Sequence, residues 1–255
     1  MRRLSIGKSQ VEIWPNAHAL PMRAVRLFIE TARQSVEERD SFKVALAGGS
    51  TPRALYSLLG EEIYASRVPW EKAQVFWGDE RCVPPSSDES NYRMAFDALL
   101  SRVPIPPGQI HRMRGEDEPE QAARDYGQLL LEKLHENPPR FDLILLGMGE
   151  DGHTASLFPD SPALLDTVHP VAAPYVEKLK SHRLTLTLPV INAAASIIFL
   201  VTGEQKAETL RIVLEEEGRG REYPAQLVSP TRGELLWLLD EAAASRLSLR
   251  KKSVD

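Results

Sequence analysis

The run GMGEDGHTASLFP, from Gly147 to Pro159, holds the densest chemistry in the chain. Asp151 and His153 place a carboxylate two residues from an imidazole, a side chain whose ordinary pKa near neutrality suits it to general-base work. A neighbouring carboxylate can hold that ring in one tautomer and strengthen it as a base. Gly147, Gly149 and Gly152 let the backbone fold closely around a small ligand. The competing reading is a solvated loop histidine with Asp151 capping a helix.

Two further loops carry groups suited to an anionic substrate. In AGGSTP, Gly48 and Gly49 permit close backbone approach, Ser50 and Thr51 offer hydroxyls, and Pro52 suits a first helical turn. Free N–H groups and the dipole of the following helix favour phosphate there. The pattern GxxxxGK[ST] is absent, so a nucleoside triphosphate is not implied; a plain capped turn is the alternative. In WGDERCVPPSSDESNY, Asp79, Glu80 and Arg81 could bind hydroxyls, phosphate or a developing oxyanion, or could form a self-paired surface turn. Arg183 and Lys206 stand at further strand ends, each within reach of an anion or of a surface carboxylate.

Possible metal ligands (Asp79, Glu80, Asp151, His153) match neither HExxH nor an EF-hand spacing, and no metal or cofactor is expected. His18, His111, His135, His169 and His182 lack comparable neighbours and are expected at the surface or in packing. Cys82 has no partner base nearby in sequence and is expected to be an inert thiol.

These loops need a scaffold that brings them together, and the chain supplies one pattern throughout. Short apolar runs at Val11–Trp14, Phe42–Ala47, Gln74–Trp77, Phe141–Gly147, Leu184–Leu188, Ser196–Thr202 and Gly233–Leu238 predict strands. Between them, i, i+3, i+4 apolar spacing predicts helices over Ala17–Arg39, Pro52–Leu59, Asn91–Leu100, Glu118–Glu136, Glu204–Leu214 and Glu241–Leu247. The alternation predicts an α/β fold with a mainly parallel sheet flanked by helices on both faces. FDLILLGMG is apolar almost throughout, as a central strand covered on both faces must be. Ligands of such sheets bind beyond the carboxyl ends of the strands, where all three loops lie. No linker or repeat divides residues 1–255, so a single domain is expected.

Composition narrows the partners. Hydrophobic residues make up 42% and charged residues 26% of the 255, an ordinary globular balance. A net charge of -5 argues against nucleic acid. Arg250, Lys251 and Lys252 read as a solvated tail, and the charged stretch from Glu215 to Arg221 as an exposed loop. One cysteine cannot form an intrachain disulfide and suits a reducing compartment. The opening MRRLSIGKSQVEIW lacks the apolar core of a signal peptide, and no apolar run is long enough to cross a membrane. A cytoplasmic protein, monomeric or a small homo-oligomer, is expected.

Taken in order, AGGSTP, WGDERCVPPSSDESNY, LGMGEDGHTASLFP, HRLTLTLPVIN, VTGEQKAETL and YPAQLV resemble the 6-phosphogluconolactonase family, within the wider group that includes glucosamine-6-phosphate deaminases. The resemblance covers almost the whole chain. It implies a Rossmann-like fold and hydrolysis of 6-phospho-D-glucono-1,5-lactone to 6-phosphogluconate in the oxidative pentose phosphate pathway. His153, Asp151, Arg81 and Asp79 are then the expected catalytic groups. Gly48, Gly49, Ser50, Thr51, Glu80, Asn91, Gly152, Arg183 and Lys206 are the expected substrate contacts, and a phosphorylated sugar lactone is the expected partner. The deaminases carry a glutamate in a segment like FNEP after DGH, where this chain has Leu157, Phe158 and Pro159. A deaminase-like isomerase and a non-catalytic sugar-phosphate sensor are the alternatives.

Overall fold

A computed structural model describes residues 1–248. In chain order its strands are β1 (Arg2–Ile6), β2 (Ser9–Trp14), β3 (Phe42–Leu46), β4 (Ala73–Trp77), β5 (Asp79–Arg81), β6 (Leu143–Leu146), β7 (Val171–Ala172), β8 (Tyr175–Val176), β9 (Ser181–Leu186), β10 (Ser196–Val201) and β11 (Glu234–Asp240). The α-helices are α1 (Ala19–Arg39), α2 (Ser50–Leu59), α3 (Glu62–Ala65), α4 (Asn91–Ala98), α5 (Pro119–Leu134), α6 (Leu188–Ala193) and α7 (Ala207–Glu215).

Seven strands form the main sheet in the order β1-β2-β11-β10-β6-β3-β4. Every neighbouring pair is parallel except edge strand β1 against β2. Side chains of β6 alternate between two cores, as period-two geometry requires: Ile144 and Leu146 pack on one face, Leu143 and Leu145 on the other. Helices α5, α6 and α7 cover the first face, and α1, α2 and α4 the second. Both faces of the strand are thus apolar, which accounts for its unbroken LILL run.

From β4 at the sheet edge the chain returns to β6 on the far side of β3. The connections leaving β3 and β6 therefore diverge, opening a crevice at their carboxyl ends. Two buried tyrosines pin the backbone where it leaves the sheet. Tyr56 Oη accepts from Ala47 N and donates to Ala47 O, both at 2.9 Å. Tyr126 Oη accepts from Trp77 N at 3.0 Å and donates to His111 O at 3.1 Å.

Three segments differ from their sequence patterns. Asp79–Arg81 form strand β5 rather than a loop, pairing antiparallel with β9 in a second, four-stranded sheet with β7 and β8. LPVIN starts α6, where the predicted strand ran on to Leu188, because Pro189 fits a first helical turn. Residues 241–247 form turns instead of a helix. There the Asp240 carboxylate accepts the N–H groups of Ala243 and Gly203, displacing helical bonding. The basic run Arg250–Lys252 lies outside the described residues.

Candidate active site

A cavity of about 360 Å³ lies at the carboxyl ends of β3, β4, β6 and β10. Nine of the residues expected from sequence line it: Gly48, Gly49, Ser50, Thr51, Asp79, Arg81, Asn91, His153 and Lys206. Each wall has a local cause.

The first wall is the turn from β3 into α2. Gly49 adopts φ +101°, a conformation that L side chains rarely reach, and opens the helix. Gly48 makes room for a neighbour, since a Cβ there would stand 2.0 Å from Asn91 Oδ1. Ser50 and Thr51 occupy the first turn, where backbone N–H groups have no intrahelical acceptor. Thr51 Oγ1 meets Thr202 Oγ1 at 2.9 Å, tying this turn to the end of β10.

The second wall follows β4. Asp79 is buried, accepting from Ser156 Oγ at 2.7 Å and from Asn91 Nδ2 at 3.2 Å. It thereby joins the GDER strand to the loop that carries His153. Arg81 Nη1 donates to Glu89 O at 2.6 Å. In the β5–β9 pairing Arg81 stands opposite Arg183, and neither guanidinium has a carboxylate within ion-pair distance among the described residues. Burial, and then the charge of Arg81, hold the Arg183 pKa below its ordinary value.

The third wall is the loop after β6. Asp151 Oδ1 contacts His153 Nδ1 at 2.5 Å, leaving Nε2 as the ring nitrogen open to a ligand. The Phe158 ring stacks on the imidazole with centroids 4.3 Å apart. Gly149 is required here, because a Cβ would stand 2.0 Å from His153 Nδ1 and 2.6 Å from Asp151 Oδ1. Burial alone would raise the Asp151 pKa, but hydrogen bonds from His153 and then Lys178 bring it well below the usual carboxylate range. Thr209 Oγ1, on α7, donates to Glu150 O at 2.6 Å and fastens the loop from outside.

Lys206 closes the cavity from the turn before α7. Burial lowers its pKa, and Glu150 and Asp151 partly oppose that. It has no ion-pair partner within 4 Å among the described residues, so its ammonium is available to an anion.

Four expected residues stand outside the wall. Asp151 lies behind His153 as its partner. Glu80 is buried and occupied within its own segment: its carboxylate accepts N–H groups from Arg81, Asn91 and Tyr92 and the Ser90 hydroxyl, organising the start of α4. Gly152, at φ +76°, has a packing role, since a Cβ would stand 2.7 Å from Tyr223. Arg183 is buried opposite Arg81 in the β5–β9 register, with Nη1 on His182 O at 2.9 Å. Sequence reasoning did not single out Glu150, Thr202 or Gln205, which also line the cavity. The signal for two of them was available, since Thr202 ends a predicted strand and Gln205 follows it, much as Gly48 and Gly78 follow theirs.

Residues 15–237 match the family model described as glucosamine-6-phosphate isomerases/6-phosphogluconolactonase. The chain belongs to this family. A 6-phosphogluconolactonase from Nostoc sp. is 42% identical over 246 residues, spanning 95% of this chain and 100% of the relative. Among solved structures, the devB protein is 35% identical with a TM-score of 0.87, covering 93% of this chain and 99% of its own. The 6-phosphogluconolactonase from Trypanosoma brucei is 29% identical with a TM-score of 0.83, covering 96% and 100%. Glucosamine-6-phosphate isomerase/6-phosphogluconolactonase members thus share both the sequence and the Rossmann-like α/β architecture of this chain.

Among the described residues no group of three or more His, Cys, Asp or Glu side chains is arranged to hold a metal ion. No helix is long and apolar enough to cross a membrane. Cys82 is half-buried, and burial pushes its thiol up to about 11. His111 is buried against Phe76, with Nε2 2.7 Å from Gln74 Oε1.

Proposed function

We propose that this chain hydrolyses 6-phospho-D-glucono-1,5-lactone to 6-phospho-D-gluconate, with His153 as the general base. The observation that carries the reading is His153, held by Asp151 from behind, in the wall of a cavity whose other walls offer Arg81, Lys206 and the α2 N-terminus. A phosphorylated lactone needs these three things together: an activated water, a stabilised oxyanion and a held dianion.

His153 Nε2 takes a proton as a water oxygen bonds to C1, giving a tetrahedral intermediate. Arg81 stabilises the developing oxyanion. The C1–O5 bond then breaks, and the imidazolium returns its proton to O5. Asp151 holds Nδ1 protonated and supports the transient imidazolium. No covalent enzyme intermediate is needed, and a δ-lactone opens unaided at an appreciable rate, so the acceleration asked of these groups is modest. The α2 N-terminus and Lys206 suit the phosphate and hydroxyls of the substrate. Placement in the oxidative pentose phosphate pathway follows from that substrate. A cytoplasmic setting is supported by the single cysteine, and a single domain by two cores that share one sheet.

The deaminase reading has less support. Leu157 and Phe158 are buried, and Phe158 covers the imidazole, so no carboxylate occupies that place. The test is consumption of freshly generated lactone in chelator, corrected for spontaneous opening. His153→Ala should lower kcat by about 10²–10⁴ with little change in KM; a parental kcat removes His153 from the role. Binding without turnover by the parent points to a sensor, and turnover of glucosamine 6-phosphate to a deaminase.

A further inference from the structure

We propose that Lys178 is a positioning residue of the hydrolytic step: from the tip of a hairpin it locks Asp151 onto His153 and offsets the carboxylate's charge. The proposal rests on the reading of His153 as the base. Lys178 lies outside every motif discussed above. It is delivered by β8, whose Tyr175 and Val176 pair with His182 and Ser181 of β9. A 3-10 turn over Glu177–Leu179 forms the tip, and Lys180, at φ +48°, turns the chain back.

From that tip Lys178 Nζ donates to Asp151 Oδ2, while Oδ1 carries the His153 ring. The same ammonium stands 4.7 Å from the centre of the Phe158 ring, which stacks on His153. Both supports of the imidazole, the carboxylate at its edge and the aromatic ring on its face, therefore meet one cation. A carboxylate bonded through a single oxygen can rotate off its partner; one bonded through both is held.

The lysine side chain is about half exposed. An ion pair so placed adds little to stability, so its contribution falls on geometry and local charge rather than on the fold. The other charged groups around His153 are Asp79 and Arg81 from β5, Glu150 in its own loop and Lys206 before α7. All of them remain when Lys178 is replaced, so the comparison isolates this one charge.

The experiment compares pH profiles of kcat and KM for the parent, Lys178→Met, Lys178→Arg, Asp151→Asn and the Asp151→Asn/Lys178→Met double variant, with melting temperatures for each. Lys178→Met should lower kcat about 10-fold with KM within twofold. Lys178→Arg should restore most of the lost kcat. On the Asp151→Asn background the methionine should change kcat less than twofold, because the group it acts through is already altered. A parental profile for Lys178→Met, an effect confined to KM, or full additivity with Asp151→Asn would each overturn the proposal. A parental kcat in His153→Ala is a separate result that removes the underlying reading, so the two failures are distinguishable.

Discussion

His153 and Asp151 are two residues apart, yet their contact depends on a residue with no side chain. Gly149→Ala would place a methyl 2.0 Å from the ring nitrogen. The backbone at Gly149 is not left-handed, so the expected damage is local: kcat falls at least about 10²-fold while the melting temperature changes by only a few degrees. Kinetics and a thermal melt on the same preparation check it, and intact turnover would show that the pair tolerates displacement. Lys206 presents a different case, a half-buried ammonium with no partner among the described residues. Lys206→Ala should raise KM by about 10- to 100-fold, the worth of one charge-assisted hydrogen bond, and leave kcat nearly intact. A kcat effect instead would move Lys206 from ground-state binding to the transition state.

At the scale of elements, the catalytic loops are held by buried polar contacts rather than by the ladders of the sheet. Tyr126, on α5, satisfies both the Trp77 N–H and the His111 carbonyl. Tyr126→Phe leaves two buried backbone groups unpaired and should cost about 2–4 kcal/mol in urea unfolding. His111 adds a pH dependence through the same segment. Burial, with a smaller effect from Lys133, lowers its pKa from 6.5 to about 4. The unfolded chain therefore takes up the proton first as pH falls. Stability should decline below about pH 6.5 and the loss should be complete below about pH 4, reaching about 3 kcal/mol. Denaturant titrations across that range test the sign, and His111→Gln should flatten this component.

Across the whole molecule the net charge is -5, while the proposed substrate is an anion. Attraction must then come from the few cations of the cavity against a weakly repulsive background. Raising ionic strength screens the cavity contacts, so KM should increase with salt while kcat holds steady. The product 6-phosphogluconate should raise the melting temperature by binding the folded state alone, and Lys206→Ala should shrink that rise. A salt-independent KM would argue against electrostatic capture of the phosphate.

Much of this site was legible in the sequence because its parts are local. Glycine turns after apolar strands, a helix opening beside Pro52, and a carboxylate two residues from a histidine are all written within a few residues. A parallel sheet must also bring strand ends to one edge. Other features depend on residues far apart in the chain. Glu80 resembled a ligand-binding carboxylate, but tertiary structure buries it beneath the start of α4, where nearby N–H groups occupy it. Asp79–Arg81 became a strand only because β9, about a hundred residues later, supplies its partner. Lys178 carried no motif at all, since its meaning lies in a hairpin tip that crosses to Asp151. The sequence by itself determined which chemistry the chain carries and the sheet that gathers it. Only the tertiary structure decided which charges face the cavity, because burial and hydrogen-bond partners belong to the packed molecule and not to any short stretch of it.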